Sequence, residues 1–433
     1  MPESHAGLPP EWTSLTLEQI ASKITSGATP TSGSSRFYVD SGGLPFAKTE
    51  DLTRSRSKFI DECELAISDA AILETAAKRY PAGTILVSMY GTIGLTKIAA
   101  MPMAANQALC ALIPPFLCHP SYLFHHLEYV RDGWSKYSGQ TTQANINGAT
   151  VRTHEVPLPP PEHQAKIAEI LDTFDAVIQK TEALIDNLKA IKQGLLHDLL
   201  TRGIDANGQL RPLQTEAPHL YEASPLGWMP KGWELLPLGA LANVSRGKFT
   251  HRPRNDPRYF GGKYPFIQTG DVAAAEGGYV LSFSQTLSEL GTAVSQEFPA
   301  ETIAVTIAAN IADTGILSIP MYFPDSVVGA TVHAEHNVRF VELSIRKSKR
   351  LLDARAPQSA QKNINLQDLR PLMLAVPPRA EQDQIAQRYE ALQQLLQREL
   401  AVLDKCRREK QALMDDLLTG RVRVTPLLKP TPA

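Results

Sequence analysis

The chain has 433 residues, a length that suggests two or three domains. Hydrophobic residues make up 43% and charged residues 20%, which excludes a chain disordered by composition and a small disulfide-stapled scaffold. Lys and Arg number 43 against 45 Asp and Glu, a net charge of -2, so any surface built for a polyanion must be local.

Met1–Gly7 lack the basic start and apolar stretch of a signal peptide, and no run of about 18 apolar residues follows, so a cytoplasmic protein is expected. Residues 1–158 form a first region of short apolar runs punctuated by Gly, Pro and Asn. Within it Thr84–Ser88 reads as a buried strand and Pro120–Trp134 as a helix. The proline run Pro159–Pro161 closes that region. A helical segment, 159–203, then carries a heptad seam through Ile167, Leu171, Phe174, Ile178, Ile185, Leu188, Leu195 and Leu199, with Gly203 as its stop. Residues 204–227 have no sustained periodicity and read as a linker. Residues 228–376 repeat the mixed pattern of the first region, with Thr302–Ile307 as a buried strand. The segment 377–420 is a second seam, through Ile385, Tyr389, Leu392, Leu396, Leu403, Cys406, Leu413 and Leu417, and residues 421–433 form a tail.

The seams belong to an internal repeat. Gln164–Thr201 lies without a gap on Gln382–Thr419, 218 residues later, and the same offset relates Asn145, Ile146 and Asn147 to Asn363, Ile364 and Asn365. Further upstream the match loosens: Pro9 and Trp12 correspond to Pro230 and Trp233, and Pro45-Phe46 to Pro265-Phe266. Lys192 and Lys410 fall at equivalent seam positions. Each either sets helix register or packs its stem while its ammonium reaches water.

Catalytic and metal patterns are absent. Cys63, Cys110, Cys118 and Cys406 form no C-x-x-C pair and read as reduced thiols. No phosphate loop occurs, and Ile113-Pro114-Pro115-Phe116 lacks the polar first residue of an amino-methyltransferase motif, so it reads as a strand exit. His125, His126, His333 and His336 lack zinc-ligand spacing.

Basic residues do cluster. Arg246, Lys248, His251, Arg252, Arg254 and Arg258 occupy one Pro- and Asn-containing stretch backed by Tyr259 and Phe260, and Lys48, Arg54, Arg56 and Lys58 are assigned to the corresponding zone of the first half. Such loops neutralise phosphates, and arginine pairs with guanine edges. The run Arg346, Lys347, Lys349, Arg350 reads instead as a helix surface. The Gln-x-Asn-Ile-Asn elements at Gln143–Asn147 and Gln361–Asn365 are expected to make structural hydrogen bonds where domain meets helix, since a shared element is poorly suited to reading different sequences.

This order of parts, with Pro-Pro-x-x-His/Glu-Gln at Pro159–Gln164 and Pro377–Gln382 and Leu-Leu-Thr at Leu199–Thr201 and Leu417–Thr419, resembles the specificity subunit of Type I restriction-modification systems. The resemblance covers nearly the whole chain. It implies an α+β fold: two tandem mixed α/β target recognition domains (1–158 and 228–376), each followed by a long helix, the helices forming an antiparallel coiled coil with pseudo-twofold symmetry. It also implies a non-catalytic subunit that binds double-stranded DNA at a bipartite asymmetric site. Two modification (methyltransferase) subunits and ATP-dependent restriction subunits would be its partners. S-adenosylmethionine, ATP and Mg would belong to those partners, with no cofactor or metal on this chain. A coiled-coil scaffold with two variable protein-binding domains is the competing reading.

Overall fold

The computed structural model describes residues 8–137, 145–308, 311–355 and 363–428. They form two compact units, one holding the described residues up to Ile185 and from Glu399 onward, the other Asp186–Arg398.

The first unit opens with β1 (Thr13–Thr16), α1 (Leu17–Ile20), β2 (Ala21–Ser26), β3 (Tyr38–Val39), β4 (Leu44–Ala47) and α2 (Thr49–Arg54). It continues with β5 (Phe59–Ile60), β6 (Leu65–Ile67), α3 (Asp69–Glu74), β7 (Ile85–Ser88), β8 (Thr96–Ala99), β9 (Ala104–Ala105) and β10 (Leu109–Phe116). After α4 (Pro120–Tyr129), α5 (Gly148–Arg152) and β11 (Glu155–Leu158) comes the long helix α6 (Pro161–Leu199). A five-stranded sheet runs β2-β10-β7-β8-β5, a four-stranded one β3-β6-β4-β9, and β1 pairs with β11.

The strands at the centre explain the layering. All four residues of β7, Ile-Leu-Val-Ser, are buried, because both faces of the sheet are covered. Ile85 and Val87 join Leu123 and Leu127 of α4 and Ile167 and Leu171 of α6 in one core. Leu86, on the other face, packs with Ala47, Leu52 and Tyr80.

The second unit repeats this plan. Its first elements are the hairpin β12 (Tyr221–Ser224) and β13 (Gly227–Pro230), β14 (Glu234–Pro237), α7 (Leu238–Leu241), β15 (Ala242–Arg246) and β16 (Phe260–Phe266). Next come α8 (Thr269–Ala274), β17 (Tyr279–Val280), β18 (Gln285–Leu287), α9 (Glu289–Ala293), β19 (Glu297–Phe298), β20 (Thr302–Thr306) and β21 (Thr314–Leu317). The unit ends with β22 (Met321–Tyr322), β23 (Val327–Val332), α10 (Val338–Lys347), α11 (Lys349–Arg355), α12 (Leu366–Leu369), β24 (Met373–Val376) and the long helix α13 (Arg379–Leu418). The order β15-β23-β20-β21-β17 reproduces the first unit's five-stranded sheet, and β14 pairs with β24 as β1 does with β11. The linker is ordered, carrying that hairpin and a bridge between Ile204 and Leu210.

Neither long helix belongs whole to one unit. In the first, Asp175 of α6 meets Lys410 of α13 and Glu182 meets Arg407, so the helices run antiparallel there. Met414, Leu417 and Leu418 of α13 complete the core of the first unit, while Leu199 of α6 and Leu200 just after it, with Ile385 and Tyr389 of α13, complete that of the second. The seam residues are therefore domain core at the helix ends. Lys410 reaches Asp175, and the Lys192 ammonium lies 5.4 Å from the Tyr389 ring centre.

One clamp is identical in both units. The Gln164 Oε1 accepts from the backbone NH of His119, just before α4, at 2.8 Å, and its Nε2 donates to Pro159 at 2.8 Å. Gln382 does the same with Asn337, before α10, at 2.9 Å and with Pro377 at 2.9 Å. The glutamine of the Pro-Pro-x-x-His/Glu-Gln motif thus ties the domain helix to the long helix. The run 346–350 is the helix surface expected from sequence, on α10 and α11 with Lys349 and Arg350 exposed, and three of its cations are engaged. Arg346 pairs with Glu342 at 3.2 Å, Lys347 donates to the Leu200 carbonyl at 2.9 Å and Lys349 meets Asp313. Burial pulls Lys347 down to about 8.

Candidate nucleic-acid interface

In the second unit the basic stretch connects β15 to β16. Gly247 begins it pressed against the chain: a Cβ there would lie 2.4 Å from Pro324 O and from the Phe323 ring. Phe249 anchors the loop in a cluster with Tyr259, Phe260 and Phe266. On this base His251 stacks on Tyr259, ring centres 4.0 Å apart, with its Nε2 3.3 Å from Asp256. Asp256 accepts from the Arg258 backbone NH at 3.1 Å and from its guanidinium at 2.7 Å. Those hydrogen bonds hold the Asp256 carboxyl well below the usual carboxylate range. Arg254 meets Asp325 at 2.9 Å, and Arg252 donates to the carbonyls of Phe249 and His251. Arg246 and Lys248 are exposed. The loop is a braced basic surface with its guanidiniums fixed in direction, suited to phosphate and base-edge contacts.

The four candidates of the first unit sit elsewhere. Lys48 precedes α2 and lies 4.0 Å from Glu64, and Arg54 at the end of α2 lies 3.3 Å from Glu64 and 3.7 Å from Asp51. Lys58 turns inward, to Asp172 at 2.7 Å and Ser121 at 2.9 Å, with its side chain only 15% exposed. Arg56 is exposed beside it. The helix at the matching place in the second unit is α8, Thr-Gly-Asp-Val-Ala-Ala, which has no cation. The assignment of Lys48–Lys58 to the zone corresponding to Arg246–Arg258 is therefore corrected, because the strand connections place these residues at and after α2, the counterpart of α8.

The connection that matches is β2 to β3. Gly27 donates to the Leu109 carbonyl and Ala28 to that of Ala105; Gly247 donates to Val327 and Lys248 to Phe323, each acceptor 218 residues later. A Cβ on Gly27 would lie 2.2 Å from Ala105 O and Asn106 O, the same close approach as at Gly247. At the far end the Ser68 hydroxyl donates to the Arg36 carbonyl at 2.7 Å, and the Ser288 hydroxyl to the Arg258 carbonyl at 2.7 Å. Arg36 and Arg258 are structural counterparts. Sequence reasoning missed Arg36, although the triplets Arg36-Phe37-Tyr38 and Arg258-Tyr259-Phe260 carried the signal.

A second polar cluster of the first unit is structural. His125 Nε2 lies 2.8 Å from Asp172, and His125, Asp172 and Asp175 bring three possible ligand atoms within 4.8 Å of one another. Lys58 and Lys410 already contact the two carboxylates. Burial pushes Asp172 up, but hydrogen bonds from His125 and Lys58 outweigh it and hold the carboxyl well below its usual range. The cluster is a charge-compensated junction between domain and helix. In the Gln-x-Asn-Ile-Asn elements, Asn147 caps α5 by accepting from Thr150 NH at 2.9 Å, and Asn365 caps α12 by accepting from Gln367 NH at 2.6 Å. Ile146 and Ile364 are buried beside them, as a structural role requires. Gln143 and Gln361 lie outside the described residues.

A family model, the Type I restriction modification DNA specificity domain, matches residues 9–190 and again 230–405. The chain belongs to this family. As a specificity subunit it resembles the putative MjaX specificity subunit of Methanocaldococcus jannaschii, 24% identical over 439 residues, covering 96% of this chain and 95% of that one. The MjaIX specificity subunit of the same organism is 27% identical over 289 residues, 65% of this chain and 62% of the relative. The EcoR124I/EcoR124II specificity subunit of Escherichia coli is 28% identical over 182 residues, 40% of this chain and 43% of that one. In fold, the S subunit from M. genitalium superposes with a TM-score of 0.58 at 15% identity, covering 94% of this chain and 96% of that one. A chain from a structure on complex assembly and conformational transition of the type I R-M system gives 0.57 at 15% identity, covering 96% and 99%. The specificity subunit thus has two recognition domains of one fold, and no described helix is long and apolar enough to cross a membrane.

Proposed function

We propose that this specificity subunit reads a bipartite, asymmetric site on double-stranded DNA, one recognition domain per half-site, and docks two modification subunits through its long helices. The observation that carries the reading is one scaffold present twice with unlike loops at the same place: hydroxyl-rich between β2 and β3, basic between β15 and β16. One scaffold with two different surfaces suits two different half-sites. Helix length would set the unread spacer, since the 39 residues of α6 span about 58 Å, against about 34 Å for one turn of duplex. The chain itself would be non-catalytic. Adenine methylation with S-adenosylmethionine would belong to the modification subunits, and ATP- and Mg-dependent cleavage to the restriction subunits, in the cytoplasm. Methylation-sensitive sequencing of the host genome with and without this gene tests the proposal. One bipartite motif should lose methylation on deletion; an unchanged methylome would refute it.

A further inference from the structure

We propose that the β2–β3 loop, residues 27–36, is the DNA-reading surface of the first recognition domain, with Arg36 as its principal specificity-determining residue, and that Lys48, Arg54 and Lys58 are scaffold. This rests on the reading of the chain as a two-site DNA binder.

Both loops leave the edge strand of the five-stranded sheet at a glycine that permits no Cβ, and both close on an arginine whose carbonyl is held by a serine capping a later helix, Ser68 for α3 and Ser288 for α9. Between those fixed ends the chain is free to vary, and it does. The second unit places Lys248, Arg252 and Arg254 there; the first places Thr29, Thr31, Ser32 and Ser35, all exposed.

The first loop is braced as the second is. The Tyr38 hydroxyl donates to the Pro30 carbonyl at 3.1 Å, Phe37 and Tyr38 pack into the core beneath, and Thr29 is bonded to Gln107. Arg36 is oriented by Glu74 while its side chain stays 68% exposed; Arg258, oriented by Asp256, is 71% exposed. Lys78, bonded to Thr25 at 2.7 Å, adds a cation near the start of the loop. Hydroxyls donate and accept, and an arginine held in direction supplies a bidentate donor pair, so this surface can read base edges with few phosphate contacts.

Lys58 has the opposite character. Its ammonium is engaged by Asp172 and Ser121, and reaching DNA would leave the Asp172 carboxylate without that partner. Arg54 stands on α2 and Lys48 just before it, and the counterpart helix α8 carries no charge suited to DNA.

The test is selection from a randomised duplex pool by the full chain in complex with its modification subunits, comparing wild type with Arg36→Ala, Arg36→Lys, Arg258→Ala and Lys58→Ala. Wild type should enrich a bipartite consensus. Arg36→Ala should relax one half by about tenfold to a hundredfold in preference at one or two positions and leave the other half sharp. Arg258→Ala should do the reverse, and Arg36→Lys should only partly restore the first half, because a lysine lacks the planar fork. Lys58→Ala should leave both halves intact. Affinity for the first half should also fall less steeply with salt than affinity for the second. A wild-type consensus left unchanged by Arg36→Ala, with unaltered melting, overturns the assignment alone, as does relaxation of the first half by Lys58→Ala. Absence of any bipartite consensus in wild type removes the two-site reading and the assignment with it.

Discussion

The two units fasten their recognition domains to the long helices at the same place by different means. In the first, Asp172 of α6 is reached by Lys58 from the segment before β5 and by His125 from α4. In the second, Glu390, 218 residues later on α13, is reached by Arg339 of α10 at 3.0 Å, and Arg339 also bonds Glu342, which in turn holds Arg346. The carboxylate position is kept while the cation comes from another element. The glutamine clamps, by contrast, are the same in both copies. A bond to backbone depends only on the fold, so it survives divergence of the side chains around it; a charge pair can be re-supplied from any neighbouring element that reaches.

The two units should diverge most at Glu342, fully buried between Arg339 and Arg346 and accepting from the Thr314 hydroxyl at 2.7 Å. Glu342→Ala leaves two arginines facing a void and should cost about 3–5 kcal/mol. Hydrogen exchange should localise the loss to residues 234–376, with the first unit unchanged. Protection lost equally in both units would show that the units are not independent in stability.

Leu417 sharpens the division of the helices. It lies on α13, which follows the second recognition domain in the chain, yet is buried in the first unit's core. Leu417→Ala should cost about 2–5 kcal/mol and raise exchange in β7, β10 and α4. The equivalent Leu199→Ala should raise it in β20, β23 and α10. Exchange rising in the domain that precedes each helix in the chain would contradict this allocation.

How much of this could be read from the residues differs by kind. The repeat, the central strands and the long helices were legible, because Thr84–Ser88, Thr302–Ile307 and the heptads carry continuous or periodic apolar signals. The order of the strands was not, since β5 pairs with β8 and β4 with β9, contacts that no local pattern announces. The basic loop of the second unit was visible as charge. Its counterpart was invisible, because Thr-Pro-Thr-Ser-Gly-Ser-Ser looks like any turn-rich loop until the hydrogen bonds of Gly27 and Ser68 fix its place. Lys58 misled for the converse reason: a lysine in sequence gives no sign that it points inward.

Acid should separate the units. Burial pulls His125 and His126 below the ordinary imidazole value, and His154, 3.0 Å from His126, down to about 4. The second unit has only His336 lowered among the described residues, mainly by burial. Each such histidine is neutral when folded and takes up a proton when unfolded, so its penalty is absent above pH ~6.5 and grows as the pH falls below it. For His154 the growth stops near pH 4. The ceiling is about 1.4 kcal/mol per pH unit for each histidine. Calorimetry between pH 7 and 5 should show the first unit losing more stability than the second, and His154→Gln should flatten the difference. Parallel curves for the two units would refute it.

The smallest expected effect tests where the units agree. Asn147 and Asn365 occupy the same place in the two copies and cap α5 and α12. Replacing either by Ala removes one side-chain acceptor at a helix start, worth about 1 kcal/mol, and replacing either by Asp, an equally good cap, should restore most of it. If these asparagines are caps alone, Asn147→Ala and Asn365→Ala lower melting temperature by similar amounts and leave both halves of a selected DNA consensus unchanged. A change of consensus from Asn147→Asp, where stability is kept, would mean that the shared element touches DNA. The two surfaces would then differ only on a common set of contacts, and the loops between β2 and β3 and between β15 and β16 would refine a recognition that begins elsewhere.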